Sequence, residues 1–122
     1  MLKKERRVKR EILSKSRALS KTLHTKFFSL KYFKENTNKS AKAAFVLSKK
    51  ISTKATERNK LKRQAHSVLD KIFHSIKPGF VLIFYMKKEA KTASFDELSK
   101  EIFISLKNIR ALEVVDSNNL DN

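Results

Sequence analysis

Between Lys54 and His66 the chain reads KATERNKLKRQAH, with Lys54, Arg58, Lys60, Lys62 and Arg63 set around a single asparagine, Asn59. Side chains of this kind at this density bind phosphate. An arginine grips two phosphate oxygens at once, a lysine supplies a point charge, and an asparagine hydrogen-bonds sugar or phosphate oxygens. Placed on a helix, Asn59, Lys62, Arg63 and His66 fall on one flank of an apolar stripe made by Leu61, Ala65, Val68, Leu69, Ile72 and Ile76. Lys60 lies on the other flank, and Arg58 extends the stripe toward the helix start. Cations at a helix start oppose the helix dipole, so their presence there fits an anion docking on the free N–H groups of the first turn. The competing reading is a solvated charged face. Glu57 is the one acid in the segment, whereas a helix built for solubility mixes both signs.

The charge of the whole chain follows the same pattern. Of 29 Lys and Arg, 21 lie in residues 1–63 with four of the 12 Asp and Glu, so the formal net charge of +17 is confined to the first half. Residues 64–122 carry eight of each sign. Such a concentration repels itself, and a polyanion relieves the repulsion by releasing its own counterions on binding. Nucleic acid is the leading partner. An anionic membrane surface is the weaker alternative, because the apolar stripes are needed for a core.

Other chemistries lack their residues. No cysteine is present, which removes disulfides, thiolate metal sites and a cysteine nucleophile and fits a reducing cytosol. His24, His66 and His74 are dispersed, and Asp96, Glu97 and Glu101 read as one helix's own charges, the first two as partners of its dipole. One glycine cannot build a glycine-rich phosphate loop. The longest apolar run, FVLIFYM from Phe80 to Met86, is seven residues, against about 20 for a membrane span. A soluble, cytoplasmic, non-catalytic chain is expected, with no cofactor, metal or small-molecule substrate of its own.

The elements that must position the cations are legible in outline. Residues 1–10 form a basic arm, and residues 11–19 predict a short helix. KFFSLKYFK, Lys26 to Lys34, is strand-like: Phe28, Leu30 and Tyr32 alternate with Ser29, Lys31 and Phe33. Ala41 to Lys49 predicts a second strand, and the polar ENTNKS turn between them suggests an antiparallel pair. The basic helix ends before Pro78-Gly79, the only proline and the only glycine. FVLIFYM reads as a central strand buried on both faces. Ser94 to Lys107 predicts a last helix, opened by the capping pattern Ser94-x-x-Glu97. The expected domain is residues 1–112, an α+β, two-layer α/β sandwich of order α-β-β-(β)-α-β-α with a mainly antiparallel sheet. A flexible acidic tail over 113–122 is expected to follow.

One string is more specific than composition. LSKKISTKATERNKLKR, Leu47 to Arg63, resembles the signature of the bacterial ribonuclease P protein component: Ser48-Lys49-Lys50, a short spacer, then Arg58-Asn59-Lys60-Leu61-Lys62-Arg63. The resemblance covers about residues 3–110. It implies an unusual left-handed βαβ crossover, of the class seen in the second domain of a small-subunit ribosomal protein. It further implies a protein that binds a large catalytic RNA. That RNA, with Mg2+ required by the RNA–protein holoenzyme, hydrolyses the 5′ leader off precursor tRNA. Carried over residue by residue, the RNA-subunit contacts are Lys49, Lys50, Lys54, Arg58, Asn59, Lys60, Lys62, Arg63 and His66. Lys60 replaces the usual second arginine, and His66 stands where many members have another. The leader cleft maps to Leu13, Arg17, Phe28, Leu30 and Lys31, with Ser20 where a glycine is usual. A second hypothesis is a ribosomal-type structural RNA-binding protein, which would co-purify with ribosomal RNA.

Overall fold

The computed structural model describes residues 7–8, 20–35 and 38–112. The expected helix over 11–19 and the expected tail over 113–122 lie outside these residues. The described elements are β1 (Lys21–His24), β2 (Phe28–Lys34), β3 (Lys42–Val46), α1 (Ala55–Ile72), β4 (Phe80–Met86) and α2 (Phe95–Asn108). A single 3-10 turn, Phe73–Ser75, follows α1, and another, Lys88–Thr92, precedes α2.

The sheet runs β1-β2-β4-β3. β1–β2 and β2–β4 are antiparallel, and β3–β4 is parallel. The expected β2–β3 hairpin does not form. The apolar strand β4 takes the place between them, because a strand with no polar face needs a neighbour on each edge and cover on both faces. β3 must therefore reach β4 through α1, giving a β3-α1-β4 unit with the basic helix as its crossover.

Register sorts the side chains onto two faces. Leu30 pairs with Phe84, Tyr32 with Leu82, and Phe45 with Phe84, so these residues share one face. They pack beneath both helices with Leu61, Ala65, Val68, Leu69, Leu98, Ile102 and Leu106 in one core. Phe84 is its centre: Phe28 meets it edge-on at 5.2 Å and Phe45 stacks on it at 4.8 Å. The opposite face carries a smaller cluster, Phe33, Val81 and Ile83, with Val8 and Tyr85 against it.

The punctuation behaves as its chemistry requires. Gly79 has φ 87°, a conformation that disfavours any residue with a Cβ. Its N–H donates to the Lys39 carbonyl and its carbonyl accepts from the Glu35 N–H, which ties Glu35 and Lys39 to the start of β4. At α2 the capping box is complete: Ser94 Oγ accepts from the Glu97 N–H at 3.0 Å, and the Glu97 carboxylate accepts from the Ser94 N–H at 2.9 Å.

Two substitutions test this core in opposite directions. Phe84→Ala removes both ring contacts and is expected to lower the unfolding free energy by about 3–5 kcal/mol in urea titration. Ser105 is buried in α2, and among the described residues its hydroxyl has no hydrogen-bond partner. Ser105→Ala is expected to raise stability by about 1 kcal/mol in the same titration, by removing an unsatisfied buried oxygen.

Candidate nucleic-acid interface

α1 is seated by Leu61, Ala65, Val68 and Leu69, all buried, and this fixes what its other sides present. Asn59, Lys62 and Arg63 are exposed on one flank, and Lys60 is exposed on the other. Among the described residues none of Lys60, Lys62 and Arg63 makes an ion pair. The ridge therefore offers its charge outward.

The one acid of the segment is committed elsewhere. Glu57 accepts a hydrogen bond from the Ser52 hydroxyl and pairs with Lys91 at 3.3 Å. The Ser52 bond first, and Lys91 after it, hold the Glu57 carboxyl below its ordinary value. Its negative charge is thus answered on the flank away from Lys62 and Arg63.

The turn before α1 is built by the same residues. Ser52 Oγ accepts from the Lys54 N–H at 3.1 Å, and the Arg58 guanidinium donates to the Ser52 carbonyl at 2.7 Å. Arg58 is half-buried, so it serves as a brace for the turn as well as a cation near it. Upstream, the Ile51 N–H donates to the Ser48 carbonyl and the Lys50 N–H to Ser48 Oγ. Buried Ile51 anchors this turn, and Lys49 and Lys50 stand exposed at its tip. Lys54 is the N-cap of α1, and among the described residues its side chain makes no capping hydrogen bond. The two halves of the sequence string, Ser48-Lys49-Lys50 and Arg58 to Arg63, are thereby joined through Ser52.

Residues 2–110 match the protein family described as Ribonuclease P. The chain belongs to the ribonuclease P protein family. A ribonuclease P protein component of Phytoplasma australiense is 31% identical over 98 residues, 80% of each chain. One from Synechococcus sp. (strain JA-2-3B'a(2-13)) is 32% identical over 62 residues, 51% of this chain and 47% of that protein, so the match spans about half of its length. The fold superposes on the Staphylococcus aureus RNase P protein with a TM-score of 0.79 at 17% identity, covering 91% of this chain and 100% of that one. The Thermotoga maritima RNase P protein gives 0.74 at 22% identity, covering 84% and 96%. At these identities the likeness is one of fold.

Within that family frame the expected contact residues divide. Lys49, Lys50, Lys54, Asn59, Lys60, Lys62 and Arg63 are exposed around the start of α1. His66 is not a surface cation. It is 7% exposed, with its ring 5.1 Å from that of Phe45. Burial first, and then Lys62, push its pKa below the ordinary histidine value, so it is neutral at physiological pH. The leader-cleft residues also part company. Phe28 and Leu30 are completely buried in the main core under the helices and line no open surface, because alternation along β2 puts them on the helix-covered face. Lys31 is on the other face, its ammonium 5.7 Å from the centre of the Tyr85 ring. Leu13 and Arg17 lie outside the described residues. The sequence reading missed that Tyr85 is the one partly exposed residue of an otherwise buried strand. It also missed the turn-forming role of Ser52.

The buried histidine gives the fold a pH dependence of definite sign. The unfolded chain takes up a proton on His66 more readily than the folded one. The stability His66 contributes is therefore complete above its ordinary value of 6.5 and lost as pH falls through the lower folded value. Between about pH 7.5 and about pH 5.5 the native chain is expected to lose more thermal stability than His66→Gln, which has no titrating ring. Parallel calorimetry of both proteins at the two pH values measures the difference.

Proposed function

We propose that this chain is the protein subunit of ribonuclease P. It binds the catalytic RNA subunit through the Lys49–Lys50 turn, the start of α1, and the Asn59, Lys60, Lys62 and Arg63 side chains. The RNA carries out the chemistry, a Mg2+-dependent hydrolysis that removes the 5′ leader of precursor tRNA, and the protein supplies grip and position. The observation that carries this reading is the cationic ridge of α1, which has no carboxylate partner among the described residues and sits on the family's own motif. Mg2+ is assigned to the RNA–protein assembly.

The single-stranded leader is assigned to the sheet face that bears Lys31 and Tyr85. A lysine beside an aromatic ring suits a flexible strand: the ring stacks on any base and the ammonium meets the phosphate. Ser29, which accepts or donates across 2.9 Å to His24, lies on the same face.

Reconstitution with the cognate catalytic RNA tests the whole reading. At low Mg2+, leader cleavage is expected to depend on the protein; an RNA that gains nothing from it refutes the assignment. The ridge has its own test. Lys62→Ala with Arg63→Ala is expected to weaken binding of the catalytic RNA roughly tenfold or more, since each removes a charge-assisted hydrogen bond. The slope of log affinity against log salt should flatten by about one for every phosphate that is no longer neutralised. Arg58 is left intact in this variant because its bond to Ser52 also shapes the turn.

A further inference from the structure

Beside the ridge, α1 and the edge strand β3 enclose a groove of about 180 Å3. Its walls are apolar, made by Val8, Ala43, Ala44 and Phe45, and its cations are Arg7 and Lys62. His66 completes the lining. That histidine is more than nine-tenths buried, yet its ring nitrogens hydrogen-bond no described residue. Among the described residues Ser105 Oγ is the one fully buried side-chain atom without a partner, so the imidazole nitrogens are not sealed in the core and meet the groove that His66 lines. A neutral imidazole carries one donor and one acceptor, and here both are left to whatever occupies the groove.

The lining selects its occupant. A free phosphate would gain from the cations but not from four apolar walls. A flat heterocycle gains from the walls, can pair its edge with the imidazole, and brings its own phosphate to the cations. We propose that this groove receives one unstacked base of the catalytic RNA, with His66 bonding the base edge and Lys62 holding the adjoining phosphate. RNA is read in this manner at bulges and loops, where a splayed base exposes its edge. His66 thereby becomes a specificity residue: it exchanges the salt-dependent phosphate grip of an arginine for a contact that depends on which base is present. The proposal rests on the reading of the chain as an RNA-binding ribonuclease P subunit.

The test uses the full-length chain and its cognate catalytic RNA, with binding measured by titration and base edges probed by modifying reagents that attack the Watson–Crick side. His66→Phe keeps the ring packing on Phe45 and removes both nitrogens; His66→Gln keeps a donor and an acceptor. The native protein and His66→Gln are expected to protect one unpaired base. His66→Phe is expected to lose that protection and about tenfold in affinity, while its salt slope stays unchanged. Lys62→Ala with Arg63→Ala should flatten the salt slope instead. If His66→Phe binds as tightly as the native chain with the same protected base, the groove holds no base and the proposal is wrong while the RNA-binding reading stands. If the native chain fails to bind the catalytic RNA at all, both fall together.

Discussion

The structure turns on holding like charges rigidly together. Side chains that repel one another would spread and frustrate recognition if they sat on a mobile loop, so they are mounted on a helix whose inner face is locked by Leu61, Ala65, Val68 and Leu69. The helix in turn rests on a sheet centred on Phe84 and its two ring contacts. The apolar packing underneath therefore supports the electrostatics above. The repulsion within the ridge opposes folding of the chain, and the core must outweigh it.

The region before α1 shows how a small set of hydrogen bonds keeps the ridge uncompensated. Glu57, the nearest carboxylate, could neutralise a motif cation. The Ser52 hydroxyl and Lys91 both engage its Oε1 instead. Ser52 also accepts from the Lys54 N–H and offers its carbonyl to Arg58. One serine thus sets the entry of the helix, restrains an acid and orients an arginine. Lys91 comes from the segment after β4, so this arrangement also links α1 to the far side of the crossover.

Much of this is legible in the residues, and the failures have particular causes. The apolar period of α1, the capping box at Ser94 and Glu97, and the central place of FVLIFYM are local patterns, and each appears where it is expected. The pairing of β2 and β3 is misread because the polar turn between them is a local hairpin signal, whereas the competitor for their edges, β4, lies far along the chain. Alternation in β2 correctly groups Phe28 with Leu30, but period two does not say which face the helices cover. His66 is misread for a similar reason. Its position on the helix flank is readable, yet its burial depends on Phe45 of β3, which no helical wheel contains.

The β3-α1-β4 connection carries one more consequence. Because α1 is the link between two parallel neighbours, the strands that seat it are separated by the helix itself, and their closure is a long-range event that local contacts do not hasten. The charged helix can coil early, but its orientation is set only once β3 and β4 lie side by side. An incompletely folded chain would carry the same charges without their geometry. The arrangement of these charges thus depends on that long-range closure and not on the helix alone.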